Sequence, residues 1–370
     1  MNQYPTHTRR PWLQRLPGWT GAALMLALLG GVTYWCFGEM YHEGWWGPFY
    51  IRLVYLIPFA LMLALTLTAF ARPRLGGWLL LAAGLVLALL LMEPRLESGR
   101  LVIDHDFSGL VIAGSIALFG ALFLWEARSR RRWLQQHGPA PQPGSWLRRH
   151  LPTVLALGIP ALIIASISAV MLPVVLTRVD DGDRGARLIE GNGVTLIWAP
   201  EGPGWNWKQS WGGYPSWAAV ALYGVAPAGM EPKAGYRRTD GSWEQLPTAA
   251  EMARTDLCRY LSADGLVLLD EAQNIWRMPT VDELVRSLGQ HGANAGCTWE
   301  GQAIPAQAVC ALRPDKETPL WAPDLSPVYY WAADEYDARR AYFVAYNGMV
   351  NATQKNGGNP RHSYRCVREP

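Results

Sequence analysis

Five runs without one Asp, Glu, Lys, Arg or His constrain this chain more than any other feature: residues 19–38, 53–70, 75–92, 107–125 and 151–177. Coiled as helices at about 1.5 Å per residue, runs of this length cross the hydrocarbon core of a bilayer. Helices buried in a soluble core seldom go so far without a charge, so five transmembrane helices are expected. Half of the 370 residues are hydrophobic and only 17% are charged, and that average conceals two unlike parts. The first 177 residues hold the apolar runs; the remaining 193 are polar, rich in Gly and Pro, and large enough for one core of their own.

Orientation follows from the basic residues of the short connections, because Lys and Arg are retained on the cytoplasmic side. Arg9, Arg10 and Arg15 precede the first run, Arg72 and Arg74 separate the second from the third, and Arg128, Arg130, Arg131, Arg132, Arg148 and Arg149 separate the fourth from the fifth. The alternate connections are acidic, with Glu39, Glu43, Glu93, Glu97, Asp104 and Asp106. A multi-pass protein of the inner (cytoplasmic) membrane is expected, with its N-terminus in the cytoplasm and residues 178–370 periplasmic or otherwise extracytoplasmic. No small-x-small cleavage site follows the first run, so it is expected to remain as an anchor. Trp19, Trp35, Trp45, Trp46, Trp78 and Trp125 fall near the run ends, where indole suits the headgroup layer.

The runs contain no charge for a transporter or proton relay to use. Small residues recur every fourth position at Gly109, Ala113, Ala117 and Ala121, and at Ala161, Ala165 and Ala169, as in helices that pack closely. These patterns point to a compact anchor bundle or a docking face for other membrane subunits or a second copy of the chain. His42 and His105 lack the spacing and the further ligands of a haem or metal site, so no cofactor is expected. The basic linker 126–150, with GPAPQPG inside it, reads as a cytoplasmic hinge lying on anionic headgroups. It lacks an aromatic platform for bases, and no nucleic-acid partner is expected.

In the exported part, residues 193–200 (GVTLIWAP) have strand character, and AYFVAYNGMVNA (341–352) sets two β-rich runs about Asn347-Gly348, a hairpin signal. Thr280 and Glu283 form a T-x-x-E capping box, followed by Val281, Leu284, Val285 and Leu288 at helical spacing. TAAEMARTDLCRYL (248–261) is a second helical segment and carries Cys258 on its inner side. Cys258, Cys297, Cys310 and Cys366 are an even set suited to an oxidising compartment. Spacing alone leaves all three pairings open.

The ordered pieces CRYLSADG (258–265), WRMPTVDEL (276–284), YYWAADEYDARRAYFVAYNGMV (329–350) and YRCVRE (364–369) resemble the Lcl C-terminal domain family over roughly 110 residues. That family is itself similar to the formylglycine-generating-enzyme and C-type-lectin-like folds. The fold expected is therefore an α-helical membrane bundle followed by an α+β C-type-lectin-like domain. The resemblance implies a bridge between the early helix and the final strand, Cys258 with Cys366, which leaves Cys297 for Cys310.

The same resemblance allows an enzyme, a glycan binder or a protein binder. The late pair of close cysteines expected of a formylglycine-generating enzyme is missing, since Cys366 stands alone near the end. His291 and His362 belong to no nucleophilic triad or metal-ligand spacing. The candidate ligand residues are Trp205, Trp207, Trp211 and Trp217, with Tyr214 among them, in an aromatic segment that serves either a ligand or the core. Asp334, Glu335 and Asp337 are a candidate cation or acid–base cluster or else a solvated loop, with Arg339 and Arg340 beside them. The resemblance also implies sulfated polysaccharide as a ligand, yet the exported part has 19 Lys and Arg against 23 Asp and Glu, a net −4. Only local charge at Arg339, Arg340, Arg361, Arg365 and Arg368 is left to serve such a polymer. The expectation is a non-catalytic domain that binds a glycan or envelope protein, with a structural or assembly subunit as the alternative.

Overall fold

The structure, a computed structural model, describes residues 12–46, 48–97, 107–138, 146–208, 213–225, 246–301, 303–357 and 361–370. His105 and Trp211 lie outside the described residues. The chain divides into two compact units: residues 1–44 with 49–172, and residues 173–370 with the short segment 45–48.

The first unit consists of α1 (Trp12–Glu39), α2 (Phe49–Ala71), α3 (Pro73–Glu97), α4 (Phe107–His137) and α5 (Trp146–Leu176), with a π-type turn over Met40–Gly44. All five helices are long and apolar enough to cross a membrane. Two observations change the picture drawn from the sequence. The linker 126–150 is helical as far as His137 and again from Trp146; Arg, Leu and Gln favour helix and no Gly or Pro intervenes before Gly138. The small-residue stripe of α4 also shifts register: Ala121 is exposed, and Gly120 takes its place in the contact.

That contact is one of close backbone approach. A Cβ on Gly84 would lie 2.6 Å from the Ala117 nitrogen and 2.7 Å from the Ala113 oxygen; one on Gly120 would lie 2.7 Å from the Gly77 oxygen. Antiparallel α3 and α4 thus meet backbone to backbone, which only glycine and alanine allow. Ala161, Ala165 and Ala169 of α5 are exposed instead. Trp19, Trp35, Trp78 and Trp125 remain exposed, as belt residues would, whereas Trp46 is 4% exposed and sits in the core of the second unit.

The second unit is built of β1 (Arg187–Gly191), β2 (Val194–Trp198), α6 (Trp217–Ala221), α7 (Ala249–Thr255), α8 (Val281–Arg286), β3 (Gly289–Gln290), β4 (Ala293–Asn294), β5 (Ala306–Gln307), β6 (Tyr329–Glu335), β7 (Arg340–Ala345), β8 (Met349–Gln354), β9 (His362–Ser363) and β10 (Val367–Arg368). Five strands form the main sheet in the order β5-β8-β7-β6-β9. The β7–β8 hairpin turns at Asn347-Gly348, where Gly348 has φ +85°. Helices α7 and α8 pack on this sheet, and both start from complete capping boxes, Thr248/Glu251 and Thr280/Glu283. Val281, Leu284, Val285 and Leu288 are buried as their spacing requires.

A second sheet, β1-β2-β10, joins the beginning of the unit to its end. Cys258 is bonded to Cys366, 108 residues apart, and Cys297 to Cys310. A cross-link over a loop of that length destabilises the unfolded chain by on the order of 4 kcal/mol in the chain-entropy picture.

The glycine contact is testable in the full-length protein. Gly84→Leu is expected to lower the detergent melting temperature sharply by forcing α3 from α4, whereas Gly114→Leu, at a position with nothing within 4 Å, leaves it within a few degrees. Equal effects from both, read by thermal aggregation, would show that this helix contact does not set stability.

Candidate functional site

The aromatic segment is interior where it is described. Trp205 is 1% exposed; its indole N–H donates to the Tyr330 hydroxyl at 2.6 Å, and the Arg365 guanidinium lies 3.6 Å from its ring. Trp217 is fully buried and donates to the Ala332 carbonyl at 2.7 Å. Tyr214 is buried and Trp207 is half-buried against the core. Trp205 and Trp217 therefore have no face left for a ligand, because closing the core around them satisfied both their rings and their N–H groups.

The acidic cluster is likewise used internally. Residues 336–339 are the connection between β6 and β7. Asp334 accepts the Val281 amide at 2.7 Å, adding to the cap of α8, and burial together with nearby Glu283 and Asp282 raises its pKa. Glu335 pairs with Lys355 at 2.5 Å, and the fully buried Lys355 also donates to the Pro247 carbonyl. Asp337 accepts the Arg339 and Arg340 amides, both at 2.8 Å, and pairs with the Arg340 side chain at 2.7 Å. Three carboxylates that are neighbours in sequence are thus committed to a helix cap, an ion pair and a turn. Among the described residues, no group of three or more His, Cys, Asp or Glu is placed to hold a metal ion.

The arginines expected to concentrate charge are also divided. Arg365 is fully buried and donates to the carbonyls of Ala199, Pro319 and Leu320 at 2.6–2.9 Å. Arg361 is buried, with a bond to the Ser326 carbonyl, and Arg340 belongs to Asp337. Exposed Arg339 and half-buried Arg368 are what remain.

Sequence reasoning missed two features. The first is a buried charged network around Trp46. Arg178 and Lys316 lie 3.9 and 4.2 Å from its ring, Arg178 pairs with Asp315 at 2.7 Å, Lys316 donates to the Leu325 carbonyl, and Glu317 accepts the amides of Val179 and His291. Burial and neighbouring Arg178 hold the Lys316 amine well below its ordinary pKa. Nothing in the run DKE (315–317) distinguishes it from solvated charge.

The second is the loop that follows Cys258. Leu266, Val267, Leu269 and Ile275 are 53%, 54%, 37% and 40% exposed. A Leu-Val-x-Leu run would ordinarily be buried, and this one is held outward by a built frame. The Ser262 hydroxyl and the Leu266 amide donate to Asp264, the Ser262 amide donates to the Val267 carbonyl at 2.9 Å, the Val267 amide donates to the Ser262 hydroxyl at 3.1 Å, and the Leu269 amide donates to the Tyr260 carbonyl at 2.8 Å. Gly265, at φ +78°, makes the turn against Pro200 and Trp276, and the Trp276 indole donates to the Ser262 carbonyl at 3.0 Å. Asp264, Asp270 and Glu271 rim the apolar tip. The arrangement is an ordered apolar surface with an acidic edge. The available sequence signal is the flanking acids, which seldom border a core strand.

No family model, curated protein or solved structure matches the chain.

The buried His362 yields a pH test of this packing. It lies among Tyr329, Trp331 and Phe343, and burial lowers its pKa to about 3. The folded value lies below the unfolded one, near 6.5, so the unfolded chain takes up a proton that the folded chain refuses. Stability contributed by the neutral ring is fully present above about pH 6.5 and falls by up to roughly 1.4 kcal/mol per pH unit as pH drops toward 3. His362→Phe is expected to remove that component from denaturant titrations at pH 7 and pH 5, whatever its effect at pH 7; an unchanged slope would contradict the assignment.

Proposed function

We propose that the chain is a multi-pass envelope protein whose second unit is an exported, lectin-like domain that binds an envelope protein without catalysis. The observation that carries the reading is the rigid apolar tip Leu266–Val267–Leu269, since an ordered patch of this kind with a charged edge is characteristic of protein contact. The lectin-like assignment draws support from the bridge between the early helical segment and the final strand, present as Cys258–Cys366. Export draws support from the pairing of all four cysteines of this unit. A formylglycine-generating activity is disfavoured by the same pairing, which engages each thiol that such chemistry would use. A glycan ligand is disfavoured by the burial of Trp205 and Trp217.

The alternative, a subunit of a larger membrane assembly or homo-oligomer, is favoured by one observation: the small-residue face of α5, Ala161, Ala165 and Ala169, lies open.

A photo-crosslinking side chain at position 267 of the full-length protein in intact membranes is expected to give a discrete adduct with another protein. Leu266→Glu combined with Leu269→Glu is expected to abolish that adduct while changing domain stability by no more than about 0.5 kcal/mol, as exposed substitutions usually do. An adduct from position 165 at twice the monomer mass, with none from 267, would favour the assembly subunit; silence at 267 in every growth condition contradicts partner binding by the loop.

A further inference from the structure

The first unit contains a groove of about 720 Å³ at the ends of α3 and α4 that meet the α2–α3 corner. Its walls follow from helical spacing. Residues 74, 75 and 78 share one face of α3, and residues 127, 130, 131 and 134 share one face of α4 as it continues past the start of α3. Arg72, Arg74, Arg130 and Arg131 line the groove and are exposed. No ion pair or side-chain hydrogen bond engages these four guanidiniums among the described residues. The floor is apolar: Leu75, Trp78 and Leu134 are 46%, 52% and 37% exposed.

We propose that this groove binds the headgroup of an anionic phospholipid, one carrying two phosphates in preference to one. Four guanidiniums facing one cleft without a carboxylate need an anion, and the planar guanidinium matches phosphate oxygens in pairs. Their division, two at the corner before and after Pro73 and two on α4, provides for two phosphates. The floor identifies a lipid as the source of the phosphate. Leu75 and Trp78 begin a membrane span, where an acyl chain runs beside them and indole meets the headgroup layer. A free phosphate or a soluble polyanion would leave that apolar surface uncovered, and a zwitterionic headgroup brings its own cation to compete with the arginines. The close Gly77–Gly120 and Gly84–Ala117 contacts fix the spacing of α3 and α4, so the groove is preformed.

The test uses the full-length protein in nanodiscs of phosphatidylcholine alone, or doped with phosphatidylglycerol or with cardiolipin, and counts retained lipid by native mass spectrometry. Retention is expected in the order cardiolipin, phosphatidylglycerol, phosphatidylcholine. Each paired substitution, Arg72→Gln with Arg74→Gln or Arg130→Gln with Arg131→Gln, is expected to weaken cardiolipin retention about tenfold or more. Arg128→Gln with Arg132→Gln removes the same charge from α4 outside the groove and is expected to change it less than about threefold. Melting in pure phosphatidylcholine reports folding, and the groove variants are expected to match the unsubstituted protein there. Equal losses from the control pair would reduce the effect to general attraction and overturn the site. Absence of any anionic preference, or displacement of the lipid by millimolar inorganic phosphate, would overturn it as well.

Discussion

The second unit depends on being closed by its own last residues. Within four positions, Tyr364 donates to the Pro203 carbonyl, Arg365 fills the interior beneath Trp205, Cys366 is bonded to Cys258, and Val367 pairs with both Trp198 and Arg277. Each contact spans a large sequence separation, so none forms by local propensity, and together they bring the β1-β2-β10 sheet and the helix-bearing segment onto one core. Arg365 is the most demanding of them. A buried guanidinium is costly unless its donors are met, and here backbone carbonyls of Ala199, Pro319 and Leu320 meet them. The residue expected as a surface cation for a polyanion is instead the bolt of the fold.

The same physical rule explains the fate of the other candidate site residues. A buried polar group needs a partner, and this domain supplies partners from its own chain: Trp205 to Tyr330, Trp217 to Ala332, Lys355 to Glu335, Asp334 to the amide of Val281. Groups committed in this way define geometry and are not available to a substrate. Among the described residues, the surface includes the acid-rimmed apolar loop after Cys258 in the second unit and an arginine-lined groove in the first. Each presents chemistry that the described residues leave exposed.

Legibility in the sequence follows the range of the interactions. The five spans are a local property of composition, and the capping boxes at Thr280/Glu283 and the turn at Asn347-Gly348 are local in the same sense; all are read directly from neighbouring residues. Its surroundings in sequence, a short loop, point Trp46 to a headgroup belt, whereas its core position is set by Arg178, Lys316 and Tyr346, more than a hundred residues away. The linker after Trp125 read as a hinge because its Gly-Pro centre dominated the pattern, although the residues before Gly138 favour helix. Trp205 and Trp217 could be read as core or as surface, since ring burial is a tertiary outcome. The exposed Leu-Val-x-Leu run inverts the usual meaning of such residues, and the frame that turns it outward rests on the hydroxyl of Ser262, the carboxylate of Asp264 and the φ of Gly265.

Closure of the second unit by its two disulfides can be read in one measurement. Full-length protein taken from membranes, alkylated without reduction and then digested, should yield peptides joining Cys258 to Cys366 and Cys297 to Cys310, with alkylation confined to Cys36, the one cysteine outside these pairs. Alkylated Cys258 or Cys366, or a peptide joining Cys258 to Cys297, would contradict it.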